Sequence, residues 1–93
     1  MVVGLLEAQL HLHGINSLKG KRSIVKSLAG RLKSRFNISI SEVDHQDSKI
    51  SALLGISIVS NNRRFIEQQF DKITDFMRRD GRFSLGRIER ETF

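Results

Sequence analysis

The apolar residues of this chain switch between two spacings, and the order of the switches leaves few folds open. Leu6, Ala8, Leu10 and Leu12 alternate with Glu7, Gln9, His11 and His13. A period of two over residues 2–13 is that of a strand with one buried face. Ile24, Leu28, Leu32 and Phe36 then recur every fourth residue, with Val25 and Ala29 beside them. That is the apolar stripe of a helix packed on a sheet. Ile38, Ile40 and Val43 mark a short second strand, with Ser39 and Ser41 between. Ala52, Leu54, Ile56 and Ile58 mark a third, from Ile50 to Ser60. Leu53 and Val59 on its other face predict a central strand covered on both sides. Ile66, Phe70, Ile73 and Met77, flanked by Phe65 and Phe76, form the buried row of a second helix. A last strand runs from Arg82 to the end. Phe83 and Leu85 are in phase there and Ile88 is not, which predicts a bulge near Gly86.

The residues between these runs agree with the assignment. Gly14 to Ser17 turn the chain, and Ser17 is placed to cap the first helix. Asn37 suits a left-handed residue at that helix's end. Asp44 to Ser48 is turn chemistry. Asn61 or Asn62 caps the second helix. Arg78, Arg79 and Gly81 close it, with cations where the helix dipole favours them. Gly20 and Gly30 weaken the first helix by up to about 1 kcal/mol each relative to Ala, which tertiary packing must offset.

The element order is β-α-β-β-α-β. Its economical solution is an α+β, ferredoxin-like domain over residues 1–93. Two helices cover one face of a four-stranded antiparallel sheet of strand order 4-1-3-2. A chain this short buries only about 60 to 65% of its unfolded surface. Strands 2 and 4 are then edges. Arg87, Glu89, Arg90 and Glu91 blunt strand 4. Strand 2 has no charge before Glu42, so Ile38, Ile40 and Ser41 form an edge open to a second chain. The same topology brings Lys19, Lys21 and Arg22 to one end of the sheet. Asp44, His45 and Asp47, and Arg78 and Arg79, are expected at that end too.

Charge is distributed unevenly over these elements. The stretch Leu18 to Phe36 holds seven of the 16 Lys and Arg and none of the 10 acids, so the net charge of +6 rides on the first helix. At about 100° per residue, Lys19, Arg22, Lys26 and Lys33 share one flank of the apolar stripe, and Arg31 and Arg35 lie on the other. Lys21 is counted with them. Ser23, Ser27, Gly30 and Ser34 face outward between the flanks. Small residues lined by cations let a phosphate backbone approach closely. The competing readings are a solvated face whose long side chains cover the apolar flank, and close packing against a partner helix.

Several function classes find no support. An RRM needs aromatics on its outer sheet face, yet strands 1 and 3 contain no Phe, and the chain has no Tyr or Trp. No Gly-x-x-Gly loop of the KH type is present, so RNA would be read through its backbone and shape. There is no cysteine, hence no disulfide, thiolate metal site or thiol nucleophile, which fits a cytoplasmic protein. The opening Met-Val-Val-Gly-Leu-Leu-Glu lacks the basic region of a signal peptide. No apolar run approaches the roughly 20 residues of a membrane span. His11, His13 and His45, with Asp44 and Asp47, match no usual zinc spacing. Neither a P-loop nor a nucleophile elbow occurs. The Arg that follows a Gly-rich turn in acylphosphatases is missing as well. No catalytic residue, metal or cofactor is assigned.

Ser-Leu-Lys-Gly-Lys-Arg (Ser17 to Arg22) resembles a Ser-Leu-Lys-Glu-Lys-Arg motif, and Glu-Val-Asp-His-Gln-Asp (Glu42 to Asp47) matches a motif of the same spelling. With Phe36-Asn37 and Val59-Ser60-Asn61, these resemble the small bacterial family of unknown function called DUF503, or YlxP-like, over essentially the whole chain. Gly20 departs from the usual Glu, which removes a capping-box partner for Ser17 and leaves this helix more basic. The resemblance implies a ferredoxin-like fold. It also implies encoding near translation-initiation and ribosome-maturation genes, and carries no catalytic residues. The resulting expectation is an RNA- or ribosome-associated protein binding through Lys19, Lys21, Arg22, Lys26, Arg31, Lys33 and Arg35. It is expected to be homo-oligomeric, a dimer or higher, through strand 2 or the outer sheet face. The motif cluster Glu42, Asp44, His45 and Asp47 is expected to join the hairpin to the helix start. The alternative is a non-catalytic oligomeric regulatory or scaffold module that binds a protein or small molecule on its sheet face.

Overall fold

The computed structural model describes residues 1–93. β1 (Val2–Leu12), α1 (Leu18–Arg35), β2 (Ser39–Asp44), β3 (Ser51–Ser60), α2 (Arg63–Arg78) and β4 (Phe83–Thr92) follow in the expected sequence. The strands form one antiparallel sheet ordered β2-β3-β1-β4, the expected order read from the opposite edge. In the central pair, Leu6 faces Ile56, Ala8 faces Leu54 and Leu10 faces Ala52. The period-two apolar sets of β1 and β3 therefore meet on one side of the sheet. Leu28 and Leu32 of α1 and Ile66, Phe70, Ile73 and Met77 of α2 close over them and are fully buried. Gly4 is where α2 presses on β1. A Cβ there would stand 2.4 Å from Ile66 Cγ2, inside van der Waals contact.

The helix starts follow local chemistry. Ser17 Oγ accepts from the Gly20 N–H at 3.0 Å. Of the two asparagines, Asn62 is the cap, its Oδ1 accepting from the Phe65 N–H at 3.1 Å. The end of α1 departs from expectation. Asn37 does not adopt a left-handed conformation. Phe36 is already extended, with φ −131°, and its N–H reaches Leu32 O. The chain enters β2 at Ser39, so it straightens there and needs no reversal. The bulge in β4 is present. Ala8 pairs with Ile88 and Leu10 with Leu85, so Gln9 opposes both Gly86 and Arg87, and Ile88 packs against the core.

β3 is central, as expected, but only one of its faces is covered. On the other, Val43 is 49% and Val59 60% exposed, beside Leu5 at 40%. Both helices pack on the opposite side, so no element of the chain remains to cover this one. No helix is long and apolar enough to cross a membrane.

Candidate nucleic-acid interface

α1 sorts its cations by helical position. Lys19, Arg22, Lys26 and Lys33 are exposed, and none of them makes an ion pair. Ser23, Ser27, Gly30 and Ser34 are exposed between the flanks, as the spacing implied. On the second flank Arg31 and Arg35 turn toward α2 and lie over the Phe76 ring, 5.0 and 4.7 Å from its centroid. A guanidinium over a ring face is attracted by the ring quadrupole. The contact ties the two helices together while leaving the outer face of each guanidinium open. Arg31 also comes within 3.9 Å of Asp80, whereas Arg35 pairs with no acid.

Lys21 does not belong to this face. Its exposure is 0%. Its Nζ donates to His45 O at 2.5 Å and Ser51 O at 3.1 Å, with Gln46 O at 3.4 Å. Glu42 Oε2 lies 2.9 Å away and takes no other partner. An ammonium removed from water must replace its lost hydration. Three carbonyls and a carboxylate do so here. The helical positions explain the placement. Relative to Ile24, Lys21 stands at about 60°, between Leu28 at about 40° and Leu32 at about 80°. It occupies the middle of the apolar stripe.

The hairpin joining β2 and β3 is shaped to receive that ammonium. His45 adopts φ 65°, a conformation histidine tolerates better than most side chains. Its N–H donates to Asp44 Oδ1 at 2.8 Å. The bend points the consecutive carbonyls of His45 and Gln46 at Lys21. Below them, His45 Nδ1 shares a hydrogen bond of 3.2 Å with Ser51 Oγ, and Ser48 Oγ accepts from the Ser51 N–H. The motif cluster does join hairpin to helix, but Glu42 supplies the ion pair and Asp44 serves the turn. Asp47 is exposed and takes part in none of these bonds. Arg78 and Arg79 close α2 at the same end of the sheet, where His13 N–H reaches Arg82 O and Leu12 N–H reaches Ile50 O. Neither joins this cluster, and Arg79 lines a cleft with Arg31 and Arg35 instead. The end of α2 meets α1 beyond its first turns. Arg82 reaches Ser27 there, and Arg31 reaches Asp80.

One pair near that crossing escaped the sequence reading. Asp80 Oδ2 accepts from Arg82 Nη2 at 2.6 Å and Oδ1 from Arg82 Nε at 2.9 Å, while Oδ1 also takes the Arg82 N–H. The Arg82 guanidinium holds the Asp80 carboxyl below its usual value and outweighs its burial. The same bond raises Arg82. An Asp two residues before an Arg, just after a helix end, was the available signal.

The histidines go to different neighbours. His13 Nε2 shares a 2.8 Å hydrogen bond with Ser84 Oγ, His11 lies against Gly86, and His45 belongs to the hairpin. β2 is an edge of the sheet, but Ile38 and Ile40 turn their side chains inward against the core. Of the three edge residues only Ser41 is exposed. The outer sheet face differs in charge from the helix layer. Glu7 pairs across the ladder with Glu89, and Glu91 with Leu5, with Arg87 as their nearby cation. Around Gly55, Val43, Leu5, Ser39, Ser41 and Ser57 border a shallow groove of ≈ 280 Å³.

Comparison with known proteins places this chain. Residues 3–90 match the family model described as "Protein of unknown function (DUF503)". The chain is 32% identical over 76 residues to "Uncharacterized protein YlxP" of Bacillus subtilis (strain 168), covering 82% of this chain and 83% of that one. The fold is similar to that of a solved structure, "De novo designed protein Foldit4", with a TM-score of 0.56 at 12% identity. That comparison covers 100% of this chain and 97% of the other, and at such identity the likeness is one of fold alone. With nearly the full length matched, and a relative at this identity, the chain belongs to the DUF503 family.

Proposed function

We propose that this protein binds RNA, as a free or ribosomal partner, through its helix layer. The observation that carries the reading is the state of the α1 cations. Lys19, Arg22, Lys26, Lys33 and Arg35 are exposed and have no acid partner, while Glu7, Glu89 and Glu91 lie on the opposite face of the sheet. A polyanion is attracted to the first surface and repelled by the second. Small side chains between the flanks let a phosphate backbone approach. The central strands β1 and β3 carry no aromatic, so base stacking of the RRM kind lacks its central platform on the outer sheet face. The test is a binding titration of a labelled ribosomal RNA fragment with the Lys26→Glu/Lys33→Glu variant beside the wild type. Loss of binding in the variant supports the reading. Equal binding removes it.

A second reading concerns the other face and is compatible with the first. Leu5, Val43 and Val59 leave apolar area uncovered beside a groove floored by Gly55, and β2 offers a free edge. A second copy pairing through this face or edge makes a homo-oligomer that keeps both helix layers outward. In the same position a protein partner or small molecule makes this a scaffold module. Substitution of Ser41 tests the edge, since Ile38 and Ile40 would report on the core.

A further inference from the structure

We infer that the cleft between α1 and the end of α2 is a nucleotide-sized phosphate-ester site, occupied by one unpaired unit of a single RNA strand. The inference rests on the RNA reading above and narrows it to a place. The cleft holds ≈ 370 Å³ and is lined by Arg31, Arg35, Phe76, Arg79, Asp80 and Gly81, a size in the range of small-ligand sites. A second cleft of ≈ 250 Å³ adjoins it, shares Arg35, Phe76 and Arg79, and adds Lys72 and Asp75. The two together give a strand a continuous track.

The charge balance decides whether an anion is welcome there. Both helices present their C-terminal ends to this region, each bringing about half a negative charge. Asp80 adds a carboxylate, but Arg82 already engages both of its oxygens. Asp75 is exposed to solvent. Against these stand the guanidiniums of Arg31, Arg35 and Arg79 and the ammonium of Lys72. Arg35, Arg79 and Lys72 make no ion pair, and Arg31 only a long one of 3.9 Å. The cations therefore hold the excess even after the helix ends are counted.

The geometry selects the kind of anion. Arg31 and Arg35 are held over Phe76, so less side-chain freedom is lost when they bind. A guanidinium has a fork for two phosphate oxygens and a flat face on which a base stacks. Base and phosphate of a single nucleotide thus find both kinds of contact within one cleft. A base-paired helix would offer only its backbone.

The experiment uses the full chain, a 5′-labelled single-stranded RNA octamer of mixed sequence, and ATP and inorganic phosphate as competitors. Arg35→Glu/Arg79→Glu should weaken octamer binding tenfold or more. It should also flatten the slope of log K against log salt by about 0.7 for each phosphate no longer neutralised. Phe76→Leu keeps an apolar floor but releases the guanidiniums, and should weaken binding severalfold. Arg79→Ala removes an exposed side chain without bonds and serves if the double variant is unstable, its fold checked by circular dichroism. Wild-type affinity in the cleft variants, with binding lost in Lys26→Glu/Lys33→Glu, overturns the cleft and leaves the RNA reading standing. No octamer binding by the wild type, even at low salt, overturns both. ATP bound as tightly as the octamer supports the cleft as a phosphate-ester site and overturns the strand as its source.

Discussion

The ammonium of Lys21 lies 2.9 Å from the Glu42 carboxylate, and this contact makes one unit of two segments whose joined residues are 21 apart in the chain. The first turn of α1 and the β2–β3 hairpin are joined at a point without solvent. The two stretches that carry the family resemblance are the two halves of that joint.

Removing the ammonium should be costly. Lys21→Met leaves Glu42 and three carbonyls facing an apolar chain. Loss of one partner of a buried ion pair costs about 3–5 kcal/mol. Urea unfolding should show the midpoint falling with an unchanged slope. Adding Glu42→Gln should cost little more, because the carboxylate is already without its partner. A loss below about 1 kcal/mol in the single variant would show that the joint contributes little.

Gly4 should not accept a side chain. A Cβ there would meet Ile66 Cγ2 at 2.4 Å and Phe70 Cε2 at 2.9 Å. Overpacking of this kind costs about 1–3 kcal/mol. Gly4→Ala should therefore lower Tm by roughly 4–8 °C for each kcal/mol in a domain of this size, measured by thermal circular dichroism. Gly30 meets nothing within 4 Å, so Gly30→Ala should hold or raise Tm.

The Asp80–Arg82 pair sets an acid limit. Its folded pKa lies below the usual 3.8, so ionised Asp80 favours the folded state. That contribution is complete at pH values above 3.8 and is lost as pH falls through the lower, folded value. Asp80→Asn should cost about 1 kcal/mol at neutral pH, given the partial exposure of Arg82. The difference should shrink toward zero in strong acid. Parallel stability–pH curves for the two proteins would contradict this.

Most of the fold was legible because each element declares its period. Four strands and two helices follow from the apolar spacing, and the bulge follows from the phase slip at Ile88. The surface was harder to read. Counting charge on α1 put Lys21 among the solvent-facing cations, although its angle places it between Leu28 and Leu32. A lysine at such a position is buried when oxygen atoms elsewhere in the chain gather around it, and those of the hairpin are more than 20 residues away. The stacking of Arg31 and Arg35 on Phe76 was hidden for the same reason, since it depends on how far α1 is offset along α2. The bare outer sheet face was misread because Leu53 and Val59 resemble a second buried row, and nothing in one chain says whether another covers it.

Self-association should respond to the outer face and spare the core. Leu5→Glu/Val59→Glu places charge beside Glu7 and Glu91 on a face already short of cations. If this face joins two copies, sedimentation should show dissociation to monomer with unchanged helix content. An assembly unaffected here but broken by Ser41→Lys would move the contact to the β2 edge. A wild type that is monomeric at all concentrations would remove both.

The central claim, that the helix layer is a nucleic-acid surface, is tested most directly by the salt dependence of RNA binding. Anisotropy of a labelled ribosomal RNA fragment, titrated at several salt concentrations, gives log K against log salt. With about four cations on phosphates the slope should be roughly −3 to −4. Lys26→Glu/Lys33→Glu should lose this salt-dependent binding. A saturable complex with no salt dependence, or no complex at low salt, would contradict the account and leave the charge of α1 with solubility alone.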